Sequence, residues 1–178
     1  MSRGLGDVYK RQVELLARFD EESNIKWSKR MQEEGVNVIF GVEGLKIHSK
    51  LLYIESKKGN IACIGTGNFH EGNARIYTDY LMMTARQKIV NEVAKVFDFI
   101  DRPFSPFRFN ELLVSPNSMK SRILRMLDTE IKNANEGKEA WVKMKINHIT
   151  DTDMVAKLYQ ASKAGVKIDC LLYTSPSP

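Results

Sequence analysis

Apolar and polar residues along this chain alternate with two periods, one near two residues and one near 3.6, and the changes of period mark out strands and helices. Val13 to Phe19 is apolar and β-leaning. Asp20-Glu21-Glu22 follows, offering an N-cap and acids for the positive end of a helix dipole, so a helix is predicted from there to about Glu34, stopping at Gly35. Val36 to Phe40 reads as a buried strand. Leu45 to Glu55 is a second strand-like run, Lys57-Lys58-Gly59-Asn60 a turn, and Ile61 to Ile64 the return, which together predict a β-hairpin. Thr78 to Thr84 predicts another strand. Ile89, Val93, Val96, Phe97 and Ile100 recur at helical spacing and mark an amphipathic helix.

Pro103 and Pro106 interrupt the pattern, which makes 101–110 the linker candidate. Beyond it, Ile123, Leu124, Leu127 and Ile131 mark a helix over about 117–135. A strand is predicted over 141–149, a helix over 152–163, and a strand from Val166 onwards. Strands and helices alternate, so the fold class is α/β. Repeats and low-complexity stretches are not seen.

Composition narrows the function classes. Hydrophobic residues make up 43% and charged residues 28%, enough apolar material for a core and enough charge for a water-facing surface. The longest apolar runs are far short of the roughly 20 residues a membrane span needs, so no transmembrane segment is expected. The N-terminus lacks the apolar core of a secretory signal. Cys63 and Cys170 have no framework spacing, which fits a cytoplasmic, reducing location. The formal net charge of +5 suits polyanions. Lysines and arginines are not interleaved with aromatics in a stripe, so nucleic acid is not expected as a partner.

Both ends read as foreign. Residues 2–12 and 170–178 resemble translations of a transposon-based sequencing adapter in opposite directions. On that reading 1–12 and 170–178 are not native and the native stretch is 13–169, with a reduced basic excess. The native part then divides into a first domain over 13–110 and a second, only begun, over 111–169.

Candidate chemistry gathers in Leu45-Lys46-Ile47-His48-Ser49-Lys50 and Gly65-Thr66-Gly67-Asn68. On a strand, His48 and Lys50 would share a face, and Asn68, ending the partner strand, could reach the same place. A neutral imidazole is a good nucleophile toward phosphorus. An ammonium and an amide can hold phosphoryl oxygens as charge redistributes, and glycines at 65 and 67 let backbone N–H groups approach an anion. A lone histidine is more often structural, which is the reading for His70 and His148. Metal-ligand spacing does not connect the three histidines.

The HxK…GTxN pattern resembles a half-site of the phospholipase D superfamily, with Glu55 where that family places an acid. The flanking text is more specific. Ala17-Arg18-Phe19-Asp20-Glu21-Glu22, Gly44-Leu45-Lys46-Ile47-His48, Ile64-Gly65-Thr66-Gly67-Asn68-Phe69 and Ala74-Arg75-Ile76-Tyr77-Thr78-Asp79-Tyr80 occur in that order. Together they resemble the type-1 polyphosphate kinase family. Similarity continues through Asn91-Glu92-Val93, Leu113-Val114-Ser115-Pro116 and Ala164-Gly165-Val166.

That resemblance implies a phospholipase D-like mixed sheet flanked by helices, followed by the start of a second similar domain. It makes His48 the phosphorylated residue and Tyr77 a contact to ATP. Arg18 falls at the family's magnesium-site position; a guanidinium does not ligate a cation, so Arg18 is read as a phosphate contact of the Mg2+–nucleotide. Lys50 and Asn68 join His48 on physical grounds as catalytic candidates, and Lys46 and Arg75 are weaker candidates for binding the polyanion. Asp20-Glu21-Glu22 reads as helix-start acids rather than a metal cluster. The implied reaction moves the terminal phosphoryl group of ATP reversibly to polyphosphate. Its substrates are ATP and ADP with inorganic polyphosphate, and the parent is expected to be a homo-oligomer.

The resemblance implies that the family's N-terminal and head domains, most of its final domain and a second active-site histidine lie outside this stretch, which alone is expected to have little activity. Two alternatives stay open: a phospholipase D-like phosphodiesterase using the same histidine, and a non-catalytic remnant that binds nucleotide or polyphosphate.

Overall fold

The computed structural model describes residues 11–12, 21–42 and 44–172. In chain order the elements are β1 (Arg11–Gln12), α1 (Glu21–Glu33), β2 (Val38–Ile39), β3 (Lys50–Ile54), β4 (Ile61–Gly65), α2 (Glu71–Ile76), β5 (Leu81–Thr84), α3 (Gln87–Asp101), α4 (Met119–Asn135), β6 (Trp141–Ile146), α5 (Thr152–Lys163) and β7 (Lys167–Leu172). Strands and helices are mixed along the chain, so the class is α/β. The chain forms two compact units, one ending at Leu112 and the next beginning at Leu113. The expected strand over Val13 to Phe19, and Arg18 with it, lies outside the described residues.

In the first unit, β3, β4 and β5 form an antiparallel sheet in that order. The β3–β4 hairpin closes over Ser56–Asn60. Ser56 Oγ donates to the Gly59 carbonyl at 2.7 Å, and Asn60 Nδ2 donates to the Tyr53 hydroxyl at 3.0 Å. Register pairs Leu51 with Ile64, Tyr53 with Ala62 and Ala62 with Thr84. Residues two apart on a strand share a face, so Tyr53, Ala62 and Ile64 all turn toward α3. They pack there with Ile89, Val90, Val93, Phe97 and Leu112. The helical spacing read from Ile89 to Ile100 is thus the seam of this core.

A two-stranded parallel ladder joins β1 to β2. The strand expected over Val36 to Phe40 shrinks to Val38–Ile39, which pair with Arg11 and Gln12. The helix before it, α1, ends as the sequence predicts. Gly35 sits at φ 79°, and the Val36 N–H reaches back to the Met31 carbonyl at 2.9 Å, which satisfies a carbonyl the helix leaves unpaired.

The second unit pairs β6 with β7 in parallel, from Trp141 beside Lys167 to Ile146 beside Leu172. Val142 and Ile168 pack with Ala140, Ala161, Val166, Ile131 and Ala134. The Asp151 side chain caps α5 by accepting the Met154 N–H at 3.0 Å. Lys120 of α4 bridges Asp151 and Asp153 at 2.8 and 2.7 Å. β7 runs on through Cys170 to Leu172, residues the sequence reading set apart as foreign. A β ladder is made by main-chain groups, so it accepts such residues without asking for their side chains. Among the described residues, no helix is long and apolar enough to cross a membrane.

Candidate active site

Three segments leave the β3–β4–β5 sheet at the same end. Lys50, the first residue of β3, pairs with Gly65, the last of β4, and Gly65 pairs with Leu81, the first of β5. The chain before β3 carries His48. The chain after β4 carries Thr66, Gly67 and Asn68. The chain before β5 carries Tyr77, Asp79 and Tyr80. His48, Lys50, Asn68 and Tyr77 are therefore gathered at one sheet end, and His48, Asn68 and Tyr77 are exposed there.

One detail of the sequence reading is corrected. The run from Leu45 to Glu55 is not one strand. Leu45 makes only an isolated bridge with Val42, residues 46–49 are outside any strand, and β3 begins at Lys50. The β3–β4 register begins at Lys50, opposite Gly65. His48 and Lys50 accordingly do not share a strand face. They are joined differently: Lys50 Nζ donates to the His48 carbonyl at 2.7 Å. The ammonium ties down the loop on which the imidazole sits.

The return loop is tied to β5. The Thr66 N–H donates to the Tyr80 carbonyl at 3.0 Å, and the Tyr80 N–H donates to Thr66 Oγ1 at 2.9 Å. Thr66 Oγ1 in turn donates to Asp79 Oδ1 at 3.1 Å. The Asp79 carboxylate lies against the α-carbon of Gly67 so closely that a Cβ would overlap it. Gly67 thus serves close approach of a side chain, and the sequence reading had given it only to anion approach. The Asn68 carbonyl accepts the His70 N–H at 2.8 Å, which turns the chain into α2.

The acid at this sheet end is Asp79. Glu55 follows the far end of β3, five extended residues from Lys50 and so about 17 Å away. Sequence reasoning missed Asp79, although it stands inside the Tyr77-Thr78-Asp79-Tyr80 string quoted for the family resemblance. Arg75, a weaker polyanion candidate, makes an ion pair with Glu71 one helical turn away. Among the described residues, no group of three or more His, Cys, Asp or Glu side chains is placed to hold a metal ion. Arg18, at the family's magnesium-site position, lies outside the described residues.

Comparison with known proteins decides the family. The chain matches Polyphosphate kinase C-terminal domain 1 over residues 6–106 and Polyphosphate kinase C-terminal domain 2 over residues 112–175. This chain belongs to the polyphosphate kinase family. A family member from Vibrio parahaemolyticus is 54% identical over 164 residues, covering 90% of this chain and 24% of that protein. The polyphosphate kinase of Escherichia coli K12 is 48% identical over the same length. The crystal structure of polyphosphate kinase from Porphyromonas gingivalis superposes with a TM-score of 0.82 at 37% identity, over 97% of this chain and 30% of that one. The chain therefore spans about a quarter of the length of the curated relatives it matches. The two domain matches take in residues 6–12 and 170–175, parts of the ends that the sequence reading set apart.

Proposed function

We propose that this chain carries the phosphohistidine half of an ATP–polyphosphate phosphotransferase, with His48 as the nucleophile. The observation that supports this is the gathering of His48, Lys50, the Gly65–Asn68 return and Tyr77–Tyr80 at one end of one sheet. In a family named for polyphosphate kinase activity, an exposed imidazole at such a place has phosphorus as its natural target.

In the forward direction a ring nitrogen of His48 attacks the γ-phosphorus of ATP. An N–P bond forms as the bond from phosphorus to the β,γ-bridging oxygen breaks, and ADP leaves with that oxygen. A terminal oxygen of polyphosphate then attacks the same phosphorus, the N–P bond breaks, and the chain is longer by one phosphate. Little covalent chemistry is left for the rest of the protein, whose work is placement and charge. Lys50 and the Asn68 amide hold equatorial oxygens. Tyr77 lies against the nucleotide, and Arg18 grips phosphate oxygens of the Mg2+–nucleotide with its fork. A cytoplasmic location and a homo-oligomeric parent complete the reading.

The experiment is labelling with γ-labelled ATP. This chain replaces the matching 164 residues of the Vibrio parahaemolyticus relative, so that the residues are tested at family length, with the 178-residue chain alongside. Acid-labile label that is present in the chimaera and lost in His48→Ala is the expected result. Full labelling of the His48→Ala chimaera overturns the assignment. ATP-independent cleavage of a phosphodiester substitutes the phospholipase D-like reading for it.

A further inference from the structure

Glu92 is the only charged side chain buried among the described residues, at 4% exposure. It stands on the apolar face of α3 between Ile89 and Val96, where the helical period calls for a hydrophobe. An ionised carboxylate in such a place needs strong partners, because its desolvation is unfavourable if uncompensated. The partners are three successive main-chain amides. Asn110 N–H donates to Oε1 at 2.6 Å, and Glu111 and Leu112 N–H donate to Oε2 at 3.0 and 2.8 Å. Consecutive amides turned onto one anion form a nest, the arrangement proteins use to bind phosphates and carboxylates. Here the anion is supplied from within the same unit.

These amides stand at a particular place in the chain. They are the last three residues of the first unit, which ends at Leu112. They also lie where the two family domains meet, one match ending at residue 106 and the next beginning at residue 112. Side chains here are anchored too: Phe109, just before the amide run, is buried, and Leu112, its last residue, packs on the Ala62–Val90–Val93 core. The segment has no strand ladder to satisfy it, so its backbone hydrogen bonds must go elsewhere, and for 110–112 they go to Glu92. The phosphoryl-transfer reading gives this residue no task.

We propose that Glu92 is a positioning residue that fixes the passage out of the first C-terminal domain, holding residues 110–112 as a tethered anion in an amide nest. The linker candidate over 101–110 thereby runs, at its last residue Asn110, into a clamped element. The proposal stands on the fold and does not depend on the phosphoryl-transfer reading.

Hydrogen exchange on the 178-residue chain tests it. A glutamine at 92 keeps the shape but offers one acceptor oxygen where the nest needs two, and turns an N–H2 toward donors. In Glu92→Gln the amides of 110–112 are expected to exchange at least about tenfold faster, with Val90, Val93 and Val96 still protected. Trypsin cleavage after the exposed Arg108 is expected to speed up in parallel. Glu92→Asp keeps the charge but withdraws it by one methylene, and is expected to show a smaller, equally local effect. Unchanged exchange at 110–112 in both variants overturns the proposal. So does a loss of protection spread evenly over the unit, which would make Glu92 a general support of the core.

Discussion

The carboxylate of Asp79 lies where a side chain on Gly67 would have to go. Asp79 also receives the hydroxyl of Thr66, so the return from β4 is held at two successive residues by one acid. Gly67→Ala therefore must displace Asp79 and release Thr66. At the proposed site, a misplacement of the return loop by about an ångström is expected to lower phosphohistidine formation roughly a hundredfold. Thr66 and Asp79 are exposed and can turn to water, so the stability loss should stay at about 1 kcal/mol. The check is a double-mutant cycle on labelling rate. Asp79→Ala removes the obstruction, so the double variant should lose much less than the product of the two single losses.

Lys50 binds the carbonyl of the residue it is proposed to assist. Removing the ammonium loosens residues 46–49 and takes one positive charge from the phosphoryl group. Lys50→Met is expected to cut the single-turnover labelling rate by about a hundredfold or more, the range seen when one oxyanion donor is removed. Lys50→Arg keeps the charge but not the geometry of the donor, and should fall between. Equal rates for Lys50→Met and the unaltered protein would remove Lys50 from the site.

The parts of this fold legible in the sequence are those where one physical signal acts alone. α3 follows from the apolar spacing of Ile89 to Ile100. The hairpin follows from the Lys57–Asn60 turn between two β-leaning runs. α2 is not legible in the sequence, because Gly72 and Asn73 are poor helix formers and six residues carry too little periodicity. Residues 46–49 read as strand because their alternation continues that of β3, yet the β3–β4 register begins only at Lys50. The site was legible as a set of residue types, but its joinery was not. That Lys50 reaches the His48 carbonyl, and that Asp79 rather than Glu55 is the acid at this sheet end, depend on register and on where β4 stops.

Val93 has no exposed surface and sits at the centre of the seam between α3 and the sheet. Val93→Ala removes two methyl groups and leaves a void that the packed β3–β4 hairpin can only partly close. The first unit should lose about 2 kcal/mol. Urea unfolding followed by Trp27 fluorescence, in a Trp141→Phe background, gives the difference. A change under about 0.5 kcal/mol would show that the seam is loosely packed.

Glu92 links the stability of the first unit to pH in a direction that can be worked out. Burial, the largest influence, pushes its carboxyl up. The N–H groups of Asn110, Leu112 and Glu111 and the Lys95 ammonium push it down, and together they prevail, so it titrates below its ordinary value of 4.5. A carboxyl depressed in the folded state binds protons more readily in the unfolded chain. Its contribution is then fully present above the ordinary value and is lost as pH falls through the folded one. Glutamine at 92 has no such dependence. Urea midpoints measured from neutral pH downward should thus fall more steeply for the unaltered chain than for Glu92→Gln once the pH drops below about 4.5. At neutral pH the variant should be the less stable of the two, and the gap should narrow toward acid as protonation disarms the clamp in the unaltered chain. A gap that stays constant across the range would mean that shape, and not charge, holds Asn110 to Leu112 against α3.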